Sequence, residues 1–165
     1  MIENVEASGV RLLDDYRSVF DNDNKKNNEI IFSFYMERYE TGNLSIASNT
    51  TSRTDNLSMA VNLTDAATSP NNSRHVYAPS EKVRSLYLKN KGDVRMDVAL
   101  IDMIDKDGNT ILTQTNKFRG KDYTDDRYFD DDLIVYRWAD LLLLRAEAYA
   151  ALGETAKAIA DLDQI

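Results

Sequence analysis

Residues 133–165 read LIVYRWADLLLLRAEAYAALGETAKAIADLDQI, and this stretch decides the fold. From Tyr136 to Leu152 it is mostly Leu, Ala, Arg and Glu, the strong helix formers. Apolar side chains at Leu141, Leu142, Ala148, Tyr149 and Leu152 make a stripe at helical spacing, with Arg145 and Glu147 off it. Nothing interrupts a helix before Gly153, which can take the left-handed conformation that closes one. Thr155 stands where a second helix would be capped, and Ala158, Ile159, Leu162 and Ile165 would form its buried side. The expectation is an antiparallel helical hairpin.

Small residues bear on which kind of hairpin this is. Tyr149, Gly153, Ala158 and Leu162 sit at the offsets of a tetratricopeptide-type repeat, and Ala146 fills the small position on the first helix. Only one copy is visible, and one helical pair cannot bury its own apolar face. A generic helical hairpin is the plainer alternative for the same residues.

The stretch also carries a more specific likeness. Arg137-Trp138-Ala139-Asp140, then Leu141 to Leu144, then Ala146-Glu147-Ala148, resembles the R-Y-A-D-x-L-L-x-x-A-E-A signature of the SusD/RagB family. Trp138 stands where the family usually has Tyr. A second, separate stretch agrees. Tyr16 and Phe20, an Asn-rich loop, and then Glu29-Ile30-Ile31-Phe32-Ser33 resemble the family's helix ending in an aromatic residue, followed by an E-I-I-F-S strand.

The resemblance implies a mainly α, SusD-like fold with a tetratricopeptide-type helical hairpin, a small β-hairpin and long irregular loops. It implies oligosaccharide binding at the bacterial outer membrane, with delivery to a TonB-dependent, SusC-like transporter; catalysis, for which no constellation of residues assembles, is not expected. Family members resemble secreted lipoproteins anchored through an acylated cysteine. This sequence contains no cysteine, and Met1 to Ala7 holds two glutamates without an apolar core, so no signal peptide is expected here. Membrane association would then depend on a lipid anchor absent from this chain. The expectation is a single internal fragment over 1–165. It divides into a helix, strand and variable-loop region (1–80), a β-hairpin region (81–132) and the helix pair (133–165).

Working outward, Ile2, Val5, Leu12, Leu13, Tyr16, Val19 and Phe20 have helix-like spacing, with Gly9 a weak point. Glu29 to Phe34 suits a buried strand. Residues 40–80 are polar and hold both prolines; the sequons at Asn43, Asn49, Asn56, Asn62 and Asn71 read as chance triplets in an Asn-, Ser- and Thr-rich segment. Leu57, Met59, Val61 and Leu63 alternate as a short strand would. Val83 to Tyr87 begins a helix or turn, and Asp93-Val94-Arg95 matches a D-x-R element that precedes paired strands in the family. Val98–Ile104 and Thr110–Thr115 predict a hairpin turning at Asp105 to Asn109. Asp105, Asp107 and Asn109 alternate like calcium ligands, but an EF-hand needs glycine at its sixth position and Gly108 is at the fourth. Lys117-Phe118-Arg119 resembles the family's short strand before the signature helix.

Asp122, Asp125, Asp126, Asp130, Asp131 and Asp132 form a dense acidic cluster. It reads either as a solvated loop whose last carboxylates favour the coming helix N-terminus, or as a surface cation site.

Composition limits the chemistry. With 42% hydrophobic and 29% charged residues the chain reads as globular. A net charge of −8 argues against a nucleic-acid partner, and no apolar run reaches the length of a membrane span. Lack of cysteine excludes disulfides and thiolate metal sites. His75 lies near no nucleophile or metal-ligand spacing, and no Gly-rich phosphate loop exists, so neither cofactor nor metal is expected. Glycan recognition needs aromatic faces beside planar polar groups. Tyr35, Tyr39, Arg74, His75 and Tyr77 supply those groups in and around the irregular region, although tyrosines there can equally be packing residues. Trp138, at the start of the buried helix, is assigned to packing. The alternative from another class is a tetratricopeptide-type scaffold that binds proteins.

Overall fold

The computed structural model describes residues 2–39, 78–90, 92–122 and 127–165. Its helices are α1 (Ile2–Glu6), α2 (Glu81–Lys89), α3 (Arg95–Ala99), α4 (Trp138–Ala151) and α5 (Thr155–Leu162). Its strands are β1 (Ile30–Phe34), β2 (Leu100–Ile104), β3 (Thr110–Thr115), β4 (Lys121–Asp122), β5 (Arg127–Tyr128) and β6 (Leu133–Arg137). Among the described residues helix outweighs strand, and the strands form three antiparallel pairs: β1 with β6, β2 with β3, and β4 with β5.

The first of these pairs corrects the reading of the opening stretch. Leu133 to Arg137 is a strand, and the helix begins only at Trp138. The β-branched and aromatic run Leu-Ile-Val-Tyr fits a pleated ribbon, and β1 supplies its partner. Ile30 faces Arg137 and Phe34 faces Leu133, with register shifts on either side of Phe32. Lys117 to Arg119, expected as the strand before the helix, has no strand structure. β1 is less buried than expected, with Phe32 and Phe34 about half exposed.

At the strand–helix junction the backbone N–H of Arg137 donates to Asp140 Oδ2 at 2.9 Å, satisfying a donor that the helix start cannot. The N–H of Trp138 donates to the Glu29 carbonyl at 2.8 Å. α4 ends in a Schellman arrangement: Gly153 (φ +76°) donates to the Ala150 carbonyl and Glu154 to the Tyr149 carbonyl. Only three residues then separate α4 from α5, so the two run antiparallel.

The buried stripe of α4 is rotated from the expected one. It consists of Trp138, Ala139, Leu142 and Ala146, while Ala148 and Leu152 are exposed. Arg145 therefore lies toward α5 and forks onto Asp161, with Nε–Oδ2 at 2.8 Å and Nη2–Oδ1 at 2.7 Å. Asp161 is buried, and its bond to Arg145 holds its carboxyl below the usual range. On α5 Ala158 is buried as expected, but Ile159 and Leu162, and Ile165 just past the helix end, are substantially exposed. The residue preceding the helix is Glu154, and Thr155 is its first turn rather than its cap.

The N-terminal helix expected to reach Phe20 stops at Glu6. Gly9 takes φ +92°, and the following residues leave the helix for other partners. The Arg11 N–H donates to the Asn28 carbonyl and the Leu13 N–H to Glu29 Oε2, each at 3.0 Å. A 3₁₀ turn at Arg17–Phe20 then buries Val19 and Phe20 with Val98, packed by Leu13, Tyr16, Phe118 and Ile134. The Asn-rich loop is a built structure. Asn24 donates to the Ser18 carbonyl, and Asn27 to those of Val19 and Asn24.

Residues 83–87, left open between helix and turn, lie within α2. Arg84 forks onto Asp102 of β2, with its shortest contact at 2.7 Å, tying α2 to the hairpin. The hairpin turns where expected, although Val98 and Ala99 belong to α3 rather than to its first strand.

Candidate functional site

Two family-like motifs, more than 100 residues apart in sequence, meet at one point in space. Glu29, at 2% exposure, receives Arg137 Nη1 at 2.7 Å on one carboxylate oxygen and the Leu13 N–H at 3.0 Å on the other. The Arg137 guanidinium also lies 5.7 Å from the Tyr16 ring centroid and 5.9 Å from that of Phe20. Charge-assisted pairing and two aromatic faces thus fix the start of α4 against β1. Of the other signature residues, Trp138, Ala139 and Ala146 are buried, and Asp140 binds the Arg137 N–H. Glu147 and Ala148 are exposed, and Gly153 makes the turn. These residues build the frame.

Beside the frame, Asp130, Asp131 and Asp132 overturn the solvated-loop reading. All three are buried and precede a strand, not a helix. Asn22 Nδ2 donates to Asp130 Oδ1 at 2.9 Å, and the Gly120 N–H donates to Asp131 Oδ2 at 2.8 Å. Ser33 Oγ and the Met36 N–H donate to Asp132 at 3.3 and 3.1 Å. Lys25 Nζ lies 3.9 Å from Asp130 and 4.0 Å from Asp132, and donates to the Met36 carbonyl at 2.8 Å. No group of three or more His, Cys, Asp or Glu among the described residues could hold a metal ion. In the β2–β3 turn, Asp105 spends its carboxylate on the N–H groups of Asp107 and Asn109. Asp122 has no described side chain, and Asp125 and Asp126 lie outside the described residues.

Burial pushes the Asp131 carboxyl up to about 6, against the pull of the Gly120 N–H and with the Asp130 charge acting in the same upward sense. A raised carboxylate pKa means that the folded state binds the proton more tightly than the unfolded one. Stability should therefore fall as pH rises from about 4 to about 6 and level off above that, by about 3 kcal/mol from this group. Asp131→Asn should flatten that part of the profile. Urea midpoints of both proteins from pH 4 to 7 check this; parallel profiles would show that Asp131 does not titrate there.

The segment leaving β1 carries the exposed aromatic residues. Tyr35 is 45% and Tyr39 76% exposed. Lys26 Nζ lies 4.7 Å and Lys25 Nζ 5.3 Å from the Tyr35 centroid, and the Tyr35 hydroxyl donates to Glu37 Oε2 at 3.1 Å. Arg38 stacks 4.5 Å from the Tyr39 centroid, and the Tyr128 ring lies 6.1 Å away, tilted by 45°. Tyr39 takes φ +70°, uncommon for a residue with a side chain. Sequence reasoning missed Tyr128, which sits between Arg127 and Phe129 in an acid-rich stretch; only the folded chain brings its ring beside Tyr39. Arg74, His75 and Tyr77 lie outside the described residues. What remains is a ring surface edged with cations and hydroxyls, suited to the apolar faces and hydroxyl edges of sugars.

A profile of the SusD family matches residues 11–165, and the chain belongs to that family. Three solved structures share its fold. A SusD superfamily protein from Bacteroides fragilis NCTC 9343 superposes with a TM-score of 0.83 at 23% identity, covering 98% of this chain and 35% of that one. NanU of B. fragilis gives 0.68 at 27% identity, covering 92% and 34%. A SusD superfamily protein from Bacteroides vulgatus ATCC 8482 gives 0.69 at 23% identity, covering 92% and 35%. The chain thus spans about a third of the length of these relatives. No curated protein matches it. Among the described residues no helix is long and apolar enough to cross a membrane.

Proposed function

We propose that this chain is part of a non-catalytic, surface-exposed outer-membrane lipoprotein. Its role is to capture oligosaccharide and pass it to a TonB-dependent, SusC-like transporter. Family membership over residues 11–165 is the observation that carries this reading. The exposed Tyr35 and Tyr39, on a segment anchored by Asp132 and Lys25, supply chemistry that suits it. In this reading α4 and α5 form a tetratricopeptide-type pair that serves as scaffold, and Arg74, His75 and Tyr77 extend the ligand surface.

Replacing Tyr35 and Tyr39 together by alanine should weaken oligosaccharide binding about tenfold, or about 1.4 kcal/mol, while leaving the unfolding midpoint nearly unchanged because both rings are exposed. Calorimetric titration with a glycan bound by the wild type tests this. Unchanged affinity in the double variant would remove the tyrosines from the site.

A second reading, a protein-binding helical scaffold, draws on the exposed Ile159, Leu162 and Ile165. Apolar groups that form a contiguous patch at the end of a helix mark an interaction surface.

A further inference from the structure

A cleft lined by none of the tyrosines discussed above opens between the 3₁₀ turn at Arg17–Phe20 and the segment 116–120. Its volume is ≈ 160 Å³, similar to the roughly 150 Å³ enclosed cavity that takes up one benzene; because this cleft is open on one side, a larger single ring can enter it in part. Arg17, Lys117 and Arg119 line it, with Asp21 as the single acid, in a chain whose net charge is −8. The Asp21 carboxylate is already engaged, accepting the Asp23 N–H at 2.9 Å. Arg17 and Arg119 engage other groups as well.

Lys117 differs from both. Among the described residues its ammonium has no carboxylate partner; it lies 4.9 Å from the Phe20 ring centroid and 6.0 Å from that of Tyr16. Burial first, and then the Arg137 charge, hold it below the usual lysine range. A half-buried cation beside other cations gains most from an anion brought to it, because the low-dielectric walls of a cleft strengthen the attraction.

We infer that this cleft binds a single small ring bearing an anionic group, a sugar acid or sugar phosphate, with the charge against Lys117 and the ring in the space beside Phe20 and Asn116. The volume fits one ring rather than an extended chain, and the lining selects negative charge. The site is additional to the oligosaccharide surface and does not depend on it.

Calorimetric titration of the whole protein with D-glucuronate, D-glucose 6-phosphate, D-glucose and inorganic phosphate tests the assignment. At least one of the two acidic sugars should bind, with glucose and inorganic phosphate each at least tenfold weaker. Lys117→Met keeps an unbranched side chain of similar length and removes the charge; it should weaken acidic-sugar binding at least tenfold without altering affinity for a neutral oligosaccharide. Equal binding of glucose, equal binding of inorganic phosphate, no heat from either acidic sugar at millimolar concentration, or an unchanged Lys117→Met affinity would each overturn it. Should that variant fail to fold, the four-probe comparison on the wild type decides alone.

Discussion

Glu29→Ala should destabilise the protein by about 3–5 kcal/mol, the cost of breaking a buried ion pair from one side. The carboxylate receives both the Arg137 guanidinium and the Leu13 N–H. Its loss leaves an uncompensated cation beside the Tyr16 and Phe20 rings and an amide without its acceptor. Arg137→Met should cost a similar amount, because the carboxylate then stays buried and uncompensated. The double variant Glu29→Leu with Arg137→Met should cost much less than the two singles added, since no buried charge remains. Urea midpoints of the three variants give the coupling directly. Additive losses would mean that the two motifs are neighbours without being energetically joined.

The second large effect is expected at Gly120. Its backbone takes φ +66°, and a Cβ there would run into the Tyr128 carbonyl oxygen and come within 3.0 Å of Phe129 Cδ1. The carbonyl is backbone and Phe129 is buried, so neither can yield cheaply. Gly120→Ala combines left-handed strain with overpacking, and the two together should cost about 3 kcal/mol. Gly120 also donates to Asp131, so its displacement should disturb the buried carboxylate. Thermal unfolding checks the magnitude. A midpoint equal to the wild type's would show that the β4–β5 ribbon moves aside freely.

Local sequence foretold the elements whose reasons are local. A fourteen-residue run made mostly of Leu, Ala, Arg and Glu makes α4, Gly153 makes its stop, and the polar turn between Ile104 and Thr110 makes a hairpin. It misplaced the start of α4 because Leu133 to Tyr136 continue the apolar run, and only pairing with β1 decides that they are extended. The rotation of the buried stripe has a similar origin. Arg145 looks like a solvent residue until Asp161, on the next helix, is placed opposite it. The N-terminal stretch kept its helix-like spacing on paper, yet Leu13 and Arg11 bond to residues 28 and 29 instead.

Asp130 to Asp132 show the limit most clearly. Three successive carboxylates read as solvated, and their partners are Gly120 together with Asn22, Lys25, Ser33 and Met36, the last four about a hundred residues away. Glu29 and Arg137 were each visible within a family-like motif, but nothing local said that they touch. Of the candidate ligand residues, Tyr35 and Tyr39 fall on an exposed surface; Tyr128, remote in sequence, meets Tyr39 only in the folded chain.

The most direct test of the functional account is to incubate the whole protein with a mixed oligosaccharide library, recover what it retains, and follow the retained glycan by chromatography over a prolonged period. One class of oligosaccharide should be held and later released with its chain length unchanged. Steady appearance of shorter products, or failure to retain any glycan, would contradict it.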